Sequence, residues 1–102
     1  MERYSIFGNL IAKEGHQEEL LGYLLDAAEG IKKIDDCYCY IVGTNPDEKN
    51  AVYVFEVWEN PEAHQASLEL EIFRNLINQA KPIIVGMNDY PNLTIKGGKA
   101  SF

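Results

Sequence analysis

Apolar positions along this chain recur with two periods, one of two residues and one of about 3.6. Arg3 to Ala12 read as a strand, and Gly15 is a plausible start for the first helix. From there Leu20, Leu24, Ala27, Ala28 and Ile31 recur at helical spacing, with Leu21, Tyr23 and Leu25 widening the stripe. Glu14, Glu18 and Glu19 stand before the stripe and Lys32 and Lys33 after it, the charge order a helix dipole favours. Gly22 and Gly30 each weaken this helix by roughly 1 kcal/mol relative to alanine. Asp35-Asp36 break the pattern, and Cys37 to Thr44 return to strand. Asn45 to Asn50 (NPDEKN) is turn chemistry, and Ala51 to Trp58 is a third strand joined to the second as a hairpin. Asn60 then caps a second helix whose first position is Pro61, where a missing N–H costs nothing. Ala63, Ala66, Leu70, Phe73, Ile77 and Ala80 mark its buried stripe, and a break near Glu69 to Glu71 would divide it into two. Pro82 ends the helical stretch, a last short strand is predicted over Asn92 to Lys96, and Gly97-Gly98 closes the ordered part.

The order β-α-β-β-α-β predicts an α+β, ferredoxin-like domain over residues 1–102, an antiparallel sheet with both helices on one face. One sheet parity carries Tyr4, Ile6, Leu10, Tyr38, Tyr40, Val42, Val52, Val54 and Trp58. The other carries Phe7, Ile11, Cys39, Ile41, Tyr53, Phe55 and Val57. Both faces are apolar, yet the chain's own helices cover only one. A second copy packed sheet against sheet is the simplest cover, so a homodimer is expected.

Composition narrows the function classes. A chain of 102 residues with 46% hydrophobic and 25% charged content is an ordinary globular domain. Net charge is −7, without a Lys or Arg cluster, which argues against nucleic acid or an anionic membrane as partner. The N-terminal stretch has neither a signal peptide's apolar core nor the ~20 apolar residues of a membrane span. The expected location is cytoplasmic. Cys37 and Cys39, two apart in a strand, point to one face and read as small buried hydrophobes rather than a redox pair. No phosphate loop, flavin or nicotinamide fingerprint appears, His16, His64, Cys37 and Cys39 lack metal-ligand spacing, and no nucleophile elbow surrounds Ser5, Ser67 or Ser101. The expectation is no cofactor and no metal.

Chemistry concentrates in AVYVFEVWENPEAHQASLELE, Ala51 to Glu71. An indole, a carboxylate and an imidazole gather there at one strand-to-helix corner, from Trp58, Glu56 and His64. His64 reads either as a half-exposed helix residue or as a general base near neutrality, suited to deprotonating a phenol or quinol. Trp58, the only tryptophan, is either core filler or a stacking surface with one N–H donor. Glu56 shares its face and needs a partner, either structural (Arg74, Arg3 or a lysine of either subunit) or catalytic. Tyr4, Tyr38 and Tyr40 are placed to cluster on the helix-facing side and line a cavity. Gly8, mid-strand among them, leaves room for a bulge or a close ligand, and Asn9 points the other way, toward the expected dimer interface.

Several motifs carry a resemblance to a known family. They are Ala12-Lys13-Glu14-Gly15 before Glu18-Glu19-Leu20-Leu21; Cys37-Tyr38-Cys39-Tyr40; Phe55-Glu56-Val57-Trp58-Glu59-Asn60; and Ala63-His64-Gln65-Ala66-Ser67-Leu68 with Phe73. In this order they resemble the antibiotic biosynthesis monooxygenase domain family, of the dimeric α+β barrel superfamily. The resemblance implies a homodimer with one cavity per subunit between sheet and helices. It implies oxidation of a small aromatic quinol or phenol by molecular oxygen without metal or flavin. In that scheme His64 and Trp58 are the candidate catalytic residues, and Tyr4, Tyr38, Tyr40, Glu56 and Phe73 the candidate substrate-binding ones. A non-catalytic dimeric small-molecule-binding protein is the alternative. Other relatives degrade haem, but alignment on Gly15 and Trp58 puts Gly8, Ser67 and the neighbourhood of Ile77 where that branch has its asparagine, tryptophan and ligating histidine. Haem handling is therefore the less favoured reading.

Overall fold

A computed structural model describes residues 2–100, so Ser101 lies outside the described residues. The elements are β1 (Arg3–Ala12), α1 (Gln17–Ile31), β2 (Cys37–Gly43), β3 (Ala51–Trp58), α2 (Pro61–Ser67), α3 (Glu71–Ala80), β4 (Ile84–Asp89) and β5 (Thr94–Ile95), with a single 3₁₀ turn at Lys81–Ile83. The sheet runs β2-β3-β1-β4, antiparallel at each pairing, and β5 pairs with the first residues of β1. This is the α+β, ferredoxin-like arrangement, with three helices instead of two.

Local chemistry explains most element ends. Gly15 takes φ +83°, a left-handed conformation glycine adopts without a side-chain penalty, and turns β1 into α1. The helix starts at Gln17, whose Nε2 donates to the carbonyls of Glu48 (3.1 Å) and Ala51 (2.9 Å) and pins the β2–β3 loop. Leu20, Leu24, Ala27 and Ile31 form the buried stripe of α1. Asn60 caps α2, its side-chain oxygen accepting from the Ala63 N–H at 2.7 Å, with Pro61 first in the helix. The helical stretch does divide. The Ser67 hydroxyl donates back to the His64 carbonyl at 2.6 Å, and Leu70 is extended at φ −71°, ψ 145°. The new direction seats α3 on α1, where Gly30 admits Ile72: a Cβ at Gly30 would lie 3.0 Å from Ile72 Cγ2.

Two corrections concern the sheet. The fourth strand is Ile84–Asp89, and the segment predicted as last strand contributes only the short β5. A short apolar run after a proline carries no period that separates strand from helix, and only its ladder with β1 (Gly8↔Asp89, Leu10↔Met87) makes it one. Second, β2 is bulged between Cys37 and Cys39: Cys37 pairs with Trp58 and Cys39 with Val57. The two cysteines therefore face opposite sides of the sheet, and Tyr38 is the extra residue.

The core forms two clusters on the helix side of the sheet. One holds Ala12, Leu20, Leu24, Val52, Ala80 and Ile83, the other Ile31, Trp58 and Phe73. The opposite sheet face carries an aromatic group around Phe7, with Tyr90, Tyr53 and Phe55 at centroid distances of 5.1, 5.9 and 6.2 Å. No helix among the described residues covers it, and Ile41 there is 58% exposed. Asn9 does point to this side, where it is buried and accepts from Asn88 Nδ2 at 2.9 Å. No helix among the described residues is long and apolar enough to cross a membrane.

Candidate active site

Between the two core clusters lies a cavity of about 300 Å³. Leu10, Leu24 and Val54 wall one side, Ile6, Tyr40 and Phe73 the other, with Leu68, Leu76 and Ile77 from the helices. Three ionisable side chains reach it from β2, β3 and α2: Tyr40, Glu56 and His64. A fourth, Asp89, comes from the end of β4. Gly8 is in the wall because β4 crosses close there; an added Cβ would sit 2.5 Å from the Asn88 carbonyl oxygen. The open position in β1 thus serves the strand partner rather than a ligand.

Glu56 is held from beneath. The Trp58 indole N–H donates to Glu56 Oε1 at 2.9 Å, and Trp58 itself is fully buried behind the carboxylate. His64 Nε2 lies 4.0 Å from the same Oε1, with its ring edge-on to Trp58 at 5.7 Å and tilted toward Tyr4 at 6.2 Å. At that separation the attraction between an imidazolium and a carboxylate is at the outer limit of an ion pair. Burial dominates instead. It raises the Glu56 carboxyl above the usual carboxylate range, opposed only in part by the Trp58 hydrogen bond, and lowers His64 below the usual histidine value. Both shifts run toward the neutral form of each group. Burial, then the Glu56 and Cys37 charges, push the Tyr40 phenol up, so it keeps its proton. Its hydroxyl makes no hydrogen bond to another described residue. Burial likewise pushes the Cys37 thiol up to about 11, which makes it an inert packing group.

Placement of the sequence-predicted residues is uneven. His64, Glu56, Tyr40 and Phe73 line the cavity together. Trp58 does not; its one donor is committed to Glu56. Tyr4 packs in the cluster behind His64, and its hydroxyl accepts from Asn92 Nδ2 at 2.9 Å. Tyr38 is turned away by the bulge: its hydroxyl bonds Glu59, and the Arg3 guanidinium lies 4.1 Å over its ring. Within the chain Glu56 is partnered by Trp58 and not by Arg3, which pairs with Glu59 at 3.5 Å. Met87 and Asp89 were not legible as lining residues, because their strand was not. Among the described residues no three His, Cys, Asp or Glu side chains gather as a metal-ligand group.

A sequence model of the antibiotic biosynthesis monooxygenases matches residues 4–79. The chain belongs to this family. Solved structures similar to it include a candidate antibiotic biosynthesis monooxygenase of Chloroflexus aurantiacus J-10-fl, 28% identical over 96% of this chain and 97% of its own, with a TM-score of 0.86. The protein PA3566 of Pseudomonas aeruginosa superposes with a TM-score of 0.85 at 15% identity, over 95% of this chain and 97% of its own. A second candidate antibiotic biosynthesis monooxygenase, of Bacteroides thetaiotaomicron VPI-5482, reaches 0.85 at 12% identity, over 98% and 95%. These last two likenesses carry the fold alone. No curated protein matches the chain. Within the family frame, the matched region contains every cavity residue named above except Met87 and Asp89.

Proposed function

We propose that this protein is a cofactor-independent monooxygenase that oxidises a small aromatic phenol or quinol with molecular oxygen. The observation that carries the reading is one apolar cavity in which a basic imidazole and an uncommitted phenol donor stand across from hydrocarbon walls. His64 takes the substrate's hydroxyl proton, and lowering of its pKa keeps it unprotonated to more acidic pH than an ordinary histidine. Tyr40 donates to the phenolate oxygen, and the apolar walls leave that electron-rich anion poorly solvated. The phenolate passes an electron to oxygen, the resulting radical pair joins at a ring carbon, and the peroxide takes back the proton held by His64 to become a hydroperoxide. Loss of water leaves a quinone carbonyl. One oxygen atom enters the product and the other leaves as water, and all four electrons come from the substrate.

Trp58 enters this scheme as a positioning residue. Its N–H holds Glu56 in place, and Glu56 in turn faces His64. The uncovered aromatic sheet face around Phe7 supports a homodimer, with a second copy as its cover. The test is oxygen uptake by chelator-treated protein over a panel of hydroxynaphthalenes, quinols and anthrones. Uptake should exceed autoxidation, and His64→Ala should lower it by roughly 10²–10⁴-fold. The acid limb of its rate profile should fall below the ordinary histidine value of about 6.5. Saturable quenching of Trp58 fluorescence without oxygen uptake would instead identify a non-catalytic binding protein. A Soret band on adding haemin would favour haem handling.

A further inference from the structure

The apolar space does not end at Glu56 and His64. A second cavity, of about 470 Å³, adjoins the first between α3 and β4. The two share Leu10, Leu76, Ile77 and Met87 as lining residues, so together they form one trough. Beyond those four, the second part adds Ala80, Ile84 and Lys81, the last being its one charged residue. The acid–base groups therefore crowd one end, and hydrocarbon lines the rest apart from Lys81. The first cavity alone is at the lower limit of small-molecule sites, which span about 300–1,000 Å³. At the junction Ile77 is 50% exposed and Met87 60%, two large apolar side chains kept in water. An unbranched methionine readily reshapes around a bound chain.

We propose that the ligand of this site is a phenol or quinol bearing an alkyl or isoprenoid chain. Its ring lies against Tyr40, Glu56 and His64, and its chain runs along the trough between α3 and β4. The assignment of the ring end rests on the function proposed above; the chain end rests on the trough alone. A polypeptide segment is a poor occupant, because each of its residues brings a backbone donor and acceptor into walls that supply almost no partner. A hydrocarbon chain brings none. Each methylene it buries binds about fourfold more tightly, the equivalent of about 0.8 kcal/mol.

The experiment is an anaerobic titration of the protein, read by Trp58 fluorescence, with naphthol and its butyl, hexyl and octyl derivatives below their micelle concentrations. Affinity should climb by up to about fourfold per methylene and then level off once the trough is full. Met87→Glu puts a charge at the junction on an exposed edge-strand position. It should cut the octyl-to-unsubstituted affinity ratio by about tenfold or more, a ratio in which any change in the binding of naphthol itself cancels. Equal affinity at every chain length overturns the proposal, as it would if a second copy or a peptide filled the trough. A gain that rises without levelling and survives Met87→Glu also overturns it, since that is adsorption to any apolar surface. Oxygen uptake separates the two readings. Chain-length dependence without uptake would leave the trough assignment standing and remove the oxygenase. Turnover of unsubstituted naphthol with no benefit from a chain would do the reverse.

Discussion

Replacing Gly8 by alanine would place a Cβ 2.5 Å from the carbonyl oxygen of Asn88, closer than non-bonded carbon and oxygen can approach. The obstructing atom is backbone, so relief requires β4 to move off β1. That movement loosens the Gly8↔Asp89 and Asn9↔Asn88 pairs, the 2.9 Å Asn88–Asn9 side-chain bond, and the cavity wall made by Met87 and Asp89. Overpacking of this kind costs about 1–3 kcal/mol. Alanine also narrows the unfolded ensemble, which returns about 0.4–1 kcal/mol. The net loss is about 1–2 kcal/mol, and for a chain this size each kcal/mol shifts Tm by about 4–8 °C, a fall of roughly 5–15 °C. Gly22→Ala is the matched control. No atom lies within 4 Å of its added Cβ on the exposed side of α1, so it should gain up to about 1 kcal/mol and raise Tm. Thermal melts followed by circular dichroism read both. A Gly8→Ala protein melting within about 2 °C of the parent would refute the claimed strand contact.

The carboxyl raised by burial sets a pH dependence. Folded Glu56 holds its proton more tightly than the unfolded chain does, so its contribution to stability is full below the ordinary glutamate value and is lost as pH rises through the folded value. Glu56→Gln removes that loss and keeps an acceptor for Trp58. Denaturant melts at about pH 4.5 and about pH 7 should show the variant gaining on the parent at the higher pH, by about 1.4 kcal/mol for each pH unit the carboxyl is raised. A difference independent of pH would sink the assignment. Trp58→Phe withdraws the only donor to that carboxylate oxygen among the described residues and should cost about 1–3 kcal/mol, read as a lower denaturant midpoint; an unchanged midpoint would mean the bond contributes nothing. Ile41→Asp, on the uncovered sheet face, should turn a dimeric mass into a monomeric one by light scattering. A parent that is already monomeric at micromolar concentration rules out the homodimer.

The strand-to-helix corner was readable because its determinants are adjacent in the chain. Asn60 and Pro61 define the start of α2 through a cap and a fixed φ, and the parity of β3 places Glu56 and Trp58 on one face whatever the sheet order. Local pattern alone therefore brings Glu56, Trp58 and His64 to one corner. Their roles within the group were not readable. Whether the indole faces a ligand or props a carboxylate depends on depths of a few ångströms, and the structure buries Trp58 completely.

By itself, then, the sequence determines what short-range periodicity and capping can express: the helical stripe of α1, the hairpin of β2 and β3, the corner that carries His64, and the two apolar sheet faces. Tertiary structure alone decided the rest. The bulge that ejects Tyr38 exists only in the register of β2 on β3. The strand that supplies Met87 and Asp89 exists only through its ladder with β1, nearly eighty residues away in sequence. The trough between α3 and β4 follows from where those two elements part. Such features are set by pairings between distant segments, whose free energy no local pattern records.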